Sequence, residues 1–239
     1  MTGVQTCALP ISFLRDLKTL LWWLSVDNTF SALARTNLNH LRSPRVIHAC
    51  QSAYARDVAA ALGLNPCMLS DYTVTPDIAR EPLTLRAKKL CLNGGGKVIF
   101  DLGAIAARIR DAAPEADIVL IADMPRDEVY GHFASSRLFV DLGSFPGKDR
   151  MAREALSLGV NAVIAAAGAG RHAEDYRFPD DYRWRMADID ELVALAVDML
   201  RRPEDHSRKF DPARVAIRNE KAVFEVETRA AFGLSGGET

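Results

Sequence analysis

The sequence predicts an α/β protein of two successive parallel-sheet lobes, the first of them incomplete. Three observations predict it. Short apolar runs alternate with stretches of helical spacing along most of the chain, the grammar of a parallel sheet. The alternation is interrupted once, at 73–87, where TVTPDIAREPLTLRA carries two prolines and several charges and reads as an interdomain linker. Beyond it the same alternation restarts.

In the first lobe, Leu20 to Val26 reads as a buried strand ending in Ser25, Val26, Asp27 and Asn28. Ser31 to Leu41 has helical spacing, with Leu33, Leu38 and Leu41 on one side. Arg45 to Ala49 is a second strand. Ser52 is an N-cap candidate for an alanine-rich helix that Gly63 stops. Cys67 to Leu69 is a third strand. In the second lobe, Lys89–Leu92, Ile118–Ala122, Leu138–Val140 and Ala162–Ala166 read as strands. Ile99–Ala112, Arg126–Ser135, Met151–Leu158 and Asp188–Arg201 read as helices between and after them, and a last helix runs from about Pro212 to Phe232. This gives a remnant of one Rossmann-like lobe at 12–75, a second lobe at 88–205 and a closing helix at 210–232. Residues 1–11, MTGVQTCALPI, resemble a translated sequencing adapter; the alternative is an irregular N-terminal arm. On the adapter reading the chain is an N-terminally truncated fragment.

Composition excludes several classes. The 239 residues are 49% hydrophobic and 26% charged, with a net charge of −1, so no broad field draws nucleic acid. The four cysteines form no CxxC pair and suit a reducing, cytoplasmic compartment. The histidines show no metal spacing, and no metal or cofactor is implied. No apolar run reaches the ~18–20 residues that span a bilayer. Tyr176, Phe178, Tyr182 and Trp184 alternate with arginines, which suggests base stacking. Without a basic excess, aromatics packed against a sheet edge are the better reading.

Ligands of parallel sheets sit beyond the carboxyl ends of the strands, so the loops there carry the candidates. Asp141 to Gly159 presents a Gly/Pro loop with Gly147, Lys148 and Arg150, then a helix start with Glu154. Backbone N–H groups and two cations could seat a phosphate, and the carboxylate could accept from ribose hydroxyls. A solvated charge run on an ordinary loop fits equally well. Gly94, Gly95, Gly96 and Lys97 follow the first strand of the second lobe. Glycines there permit close backbone approach to a diphosphate; a flexible turn is the alternative. Met124, at the end of the next strand, could cover a nucleobase or merely pack. Asp27, at a strand end of the first lobe, is a weak candidate base or a turn cap.

The segment EALSLG, Glu154 to Gly159, resembles the donor-site helix of GT-B glycosyltransferases. PGKDRMAREA is similar to a PGKDRxPREA motif of a bacterial glycosyltransferase-like group. WLSVDN, QSAYA and LSDY, at 23–28, 51–55 and 69–72, resemble further segments of that group. The likeness spans about 20–200. It implies the GT-B fold and transfer of a sugar from a nucleotide diphosphate sugar to a glycan or lipid-linked acceptor, with peripheral membrane association of the full-length protein left open. Gly94–Lys97, Met124, Gly147, Lys148, Arg150 and Glu154 would hold the donor. Pro146 stands where many retaining members carry a second Glu. The alternatives are a non-catalytic nucleotide-binding module or degenerate transferase and, with less support, a response-regulator-like domain.

Overall fold

A computed structural model describes residues 17–34, 37–95, 98 and 100–234. The adapter-like segment, Gly96 and Lys97 lie outside these residues. The described residues fall into two compact units. One comprises the chain up to Tyr72, Pro146–Lys148 and the chain from Glu220 onward; the other comprises Thr73–Phe145 and Asp149–Asn219.

In the first unit, β1 (Thr19–Trp23), β2 (Val46–Cys50) and β3 (Pro66–Met68) form a parallel sheet in that order, with Trp23 beside Cys50 and Cys50 beside Met68. The apolar run at 20–26 conceals a boundary. The strand stops at Trp23, and Val26–Leu33 is helix α1, entered through fully buried Val26. The helix expected at 31–41 is likewise two pieces. α1 ends at Leu33, and α2 (Leu38–Leu41) starts afresh where the Asn37 side chain accepts from Asn39 N. Helix α3 (Ala53–Ala61) begins as expected: Ser52 Oγ accepts from Ala55 N at 3.0 Å, and Gly63 turns the chain away at φ 72°. Trp23, Val26, Leu41, Cys50, Ala55, Ala59 and Leu64 form the core between these helices and the sheet.

The second unit is a five-stranded sheet containing β4 (Lys89–Asn93), β5 (Asp117–Ile121), β6 (Leu138–Asp141), β7 (Asn161–Ala165) and β8 (Arg183–Trp184). Their order is β5-β4-β6-β7-β8, and every pairing is parallel. Its helices are α4 (Leu102–Ala112), α5 (Arg126–Ser135), α6 (Met151–Ser157), α7 (Ala173–Tyr176), α8 (Ile189–Arg201) and α9 (Pro203–Ser207). α4 starts three residues later than expected. Val98 is still extended, bridging Gly143, and Asp101 caps the helix by accepting from Ala104 N at 3.0 Å. β8 was not expected, because its two residues sit in an Arg- and Asp-rich stretch without alternation. Tyr176, Phe178, Tyr182 and Trp184 are all buried around it, against Phe145, Phe210 and Phe100, so they are core and not a stacking surface.

The stretch 73–87 contains no helix or strand beyond a short turn at Leu83–Leu85, yet it is anchored. Arg86 is 4% exposed and donates to the carbonyls of Glu81, Ser136 and Leu158 at 2.9–3.0 Å. The last helix, α10 (Asp211–Phe232), contributes to the second unit as far as Asn219 and to the first from Glu220. In the first unit its Phe224 ring lies 5.3 Å from that of Tyr72 and 6.5 Å from that of Trp22. Its Glu227 accepts from Ser70 N and Oγ at 2.7 and 2.5 Å.

Candidate functional site

In the second unit the candidate loops leave the carboxyl ends of β4, β5 and β6. After β4, a Cβ at Gly94 would lie 2.9 Å from the Leu120 side chain, which would have to shift. Gly95 N donates to Asn93 Oδ1 at 3.1 Å, a turn held by its own preceding residue. The start of α4 carries the Asp101 carboxylate on its N–H groups, which disfavours a phosphate at that helix end. After β5, Asp123 takes φ 50° and half-buried Met124 leads through Pro125 into α5.

After β6, Asp141 is buried and accepts from Gly143 N at 3.0 Å. Phe145 takes φ 48° and is fully buried, edge-on to Tyr176. The Asp149 carbonyl accepts from Tyr176 Oη at 3.3 Å and Arg153 Nε at 3.4 Å, which fixes the approach to α6. Arg150 is exposed at the N-cap position and makes no capping bond. Glu154 is only 6% exposed. Its Oε1 receives Arg126 Nη2 and, at 3.2 Å, Tyr130 Oη. Arg126 Nε also donates to Tyr130 Oη, and the guanidinium lies 5.3 Å from the Tyr130 ring centre. Burial works against the charge on Arg126, but the Tyr130 contact and the Glu154 carboxylate outweigh it and raise its pKa. The carboxylate expected to face a ribose is thus filled by side chains of α5. Nothing in the sequence singles out Arg126 and Tyr130 for this, because the contacts are 28 and 24 residues long and α5 presents no apolar stripe around them.

Gly147 and Lys148, expected at the phosphate seat, belong to the first unit. Lys148 Nζ pairs with Glu220 Oε1 at 3.1 Å, the two side chains 11% and 9% exposed. The peptide around it is clasped by loops that follow β1 and β2. Val26 N donates to the Pro146 carbonyl at 2.8 Å, and Lys148 N donates to Gln51 Oε1 at 3.3 Å. A Cβ at Gly147 would lie 1.9 Å from the Leu24 carbonyl oxygen, so only glycine fits this approach. Asp27 sits in the first turn of α1 and accepts from Tyr54 Oη at 2.5 Å. WLSVDN, QSAYA and PGK therefore meet at one place, the carboxyl ends of β1 and β2. LSDY joins them through Trp22 Nε1, which donates to the Leu69 carbonyl at 2.7 Å. Among the described residues no cluster of His, Cys, Asp and Glu is arranged to hold a metal, and no helix is long and apolar enough to cross a membrane.

No protein-family profile and no curated protein sequence matches the chain. Among solved structures it is similar to a Listeria monocytogenes protein described as a UDP-N-acetylglucosamine 2-epimerase. The TM-score is 0.56 and the identity 13%, over 95% of this chain and 70% of that one. It is also similar to a mutant O-GlcNAc transferase of Thermobaculum terrenum, with a TM-score of 0.53 and 16% identity, over 79% of this chain and 44% of that one. At these identities the likeness shows the fold alone, an α/β fold of GT-B type with Rossmann-like parallel sheets.

Proposed function

We infer that the chain handles a nucleotide diphosphate sugar, with the second unit as its donor-binding part, and that the whole protein transfers the sugar to a glycan or related acceptor. The observation that carries this reading is Glu154. It is a buried carboxylate on α6, the helix that follows β6, and its cation Arg126 is 54% exposed. A buried acceptor whose partner has a free route to solvent can exchange that partner for a ligand's hydroxyl donors. The matching fold of an epimerase and a transferase whose names carry UDP-N-acetylglucosamine and O-GlcNAc supports the same substrate class. Arg150 is the exposed cation nearest in sequence to Glu154 for a diphosphate, and Gly94, Gly95 and Met124 would line the remainder.

A second reading is a nucleotide-binding module that transfers nothing. It is favoured by Lys148, whose charge is already neutralised by Glu220, and by Pro146 at the place of a second Glu. Isothermal titration with UDP, GDP and pyrophosphate tests the donor site. Glu154→Gln should weaken nucleoside diphosphate binding about tenfold and leave pyrophosphate unchanged. If wild type binds no nucleotide, or if Glu154→Gln changes neither ligand, the assignment fails. Turnover of a UDP-sugar by wild type would then separate transfer from binding alone.

A further inference from the structure

The second unit has another cavity, of about 580 Å³, whose walls include Ala166, Arg171, Asp180, Arg183, Arg185 and Met186. It lies at the carboxyl ends of β7 and β8, the edge at which parallel sheets present ligands. Three guanidinium groups and one carboxylate line it, a local excess of positive charge in a chain whose net charge is −1. The three arginines have different duties. Arg183 is spent within the protein: Nη1 donates to the Arg171 carbonyl at 2.8 Å, Nη2 pairs with Asp180, and the side chain is 12% exposed. Arg171 is half spent. Its Nε donates to the Ala166 carbonyl at 2.9 Å, which fixes the plane of the fork, and its two terminal nitrogens have no partner among the described residues. Arg185 is exposed and has no partner among them.

We propose that this cavity is a binding site for a phosphorylated small molecule of about hexose-phosphate size, separate from the Glu154 site. Arg171 supplies a pre-oriented two-donor edge that suits a phosphate. Arg185 supplies the second cation, and Arg183 holds the Arg171 backbone in place. The volume exceeds what phosphate alone needs and falls within the range of small-molecule sites. Asp180 points to a ligand with hydroxyls besides its phosphate, since it can accept from them at the rim.

Titration of the 239-residue protein with glucose 1-phosphate, inorganic phosphate, glucose and UDP tests the proposal. Glucose 1-phosphate should bind, inorganic phosphate should compete with it, and glucose should not bind. Arg171→Gln and Arg185→Gln should each weaken glucose 1-phosphate about tenfold or more, with melting curves unchanged because both side chains are exposed. Arg185→Lys should recover part of the loss. UDP affinity, where present, should be unaltered by either variant and lowered by Glu154→Gln. Failure of wild type to bind glucose 1-phosphate, or binding indifferent to both variants, overturns the site. Equal losses for UDP and glucose 1-phosphate overturn its separateness and make the arginines part of a nucleotide seat. Loss of UDP binding in Glu154→Gln alone leaves the proposal standing, and absence of any UDP binding sinks the donor reading without touching this one.

Discussion

Lys148 and Glu220 in the first unit meet with their side chains 11% and 9% exposed, whereas in the second unit the Arg126 side chain, 54% exposed, reaches the buried carboxylate of Glu154. Both are cation–carboxylate contacts beside a strand-end loop. The first is closed on both sides. It also sits on a peptide fixed through Val26, Gln51 and the required Gly147. Removing one partner leaves the other charge buried without this ion pair. The second pair is closed on the carboxylate side only, so Arg126 can leave for water while Tyr130 still serves the carboxylate. Burial of both partners makes a clasp; burial of one makes an exchangeable site. Chemical type does not separate the two cases, and accessibility does.

The largest expected effect breaks the clasp. Lys148→Ala should destabilise the protein by about 3–5 kcal/mol, the usual result of breaking a buried ion pair by removing one partner. At this chain length each kcal/mol moves Tm by roughly 2–4 °C. Replacing both partners, Lys148→Met with Glu220→Leu, should recover most of the loss, because neither buried charge then remains. Thermal melts of the three variants decide it. A double variant as unstable as Lys148→Ala would mean that the pair contributes net attraction rather than a mere absence of penalty.

Arg126→Ala should cost less, about 1–2 kcal/mol, since Glu154 keeps the Tyr130 hydroxyl and water can enter where the guanidinium was. If the site is exchangeable, the same variant should bind UDP no worse than wild type. Melting curves and titration read the two quantities separately. A loss as large as that of Lys148→Ala would erase the distinction between clasp and site.

The same contrast explains what could be read from the sequence. Local rules carried the parallel sheets, the Ser52 cap, the Gly63 stop and the whole of α5, because neighbours in sequence decide them. The boundary between β1 and α1 was hidden because Val26 is as apolar as the strand before it while its burial serves a helix. The candidate site was legible as a list of loops and illegible as a set of pairings. Glu154 is found by its place after β6, but its partners come from α5. Lys148 reads as a free cation until the last helix supplies Glu220. Nothing local marks Arg171 and Arg185 either, since Arg183 and Arg185 lie in a stretch that reads as loop, and only the two-residue β8 brings them to a strand end.

The smallest expected contrast lies in where acid begins to act. His48, on β2, is 3% exposed, and its Nδ1 accepts from Trp23 Nε1 at 3.1 Å. Its Nε2 is then the protonated nitrogen and donates to the Leu41 carbonyl at 2.7 Å. Burial lowers its pKa, partly offset by the bond to Leu41, so the folded first unit keeps this ring neutral. The unfolded chain binds the proton first, near the ordinary value of about 6.5. The His48 contribution is therefore complete above that pH and is lost as pH falls through it toward the lowered folded value. In the second unit the groups depressed within the acid range are the carboxylates of Glu115 and Asp198. Hydrogen bonds from Arg201 and from its own backbone hold Glu115 down at about 2, and burial pushes Asp198 up but Arg202 and His206 together outweigh it and lower its pKa. Their contributions persist until pH falls below about 4. The Glu115 part, on an exposed carboxylate, should shrink further in salt. Hydrogen exchange between pH 7 and 5 should accordingly show β2 amides losing protection while β6 amides hold theirs. His48→Gln should flatten the β2 response, whatever it does to protection at pH 7. Parallel loss in both strands, or an unchanged slope in His48→Gln, would show that His48 does not set the acid response of the first unit.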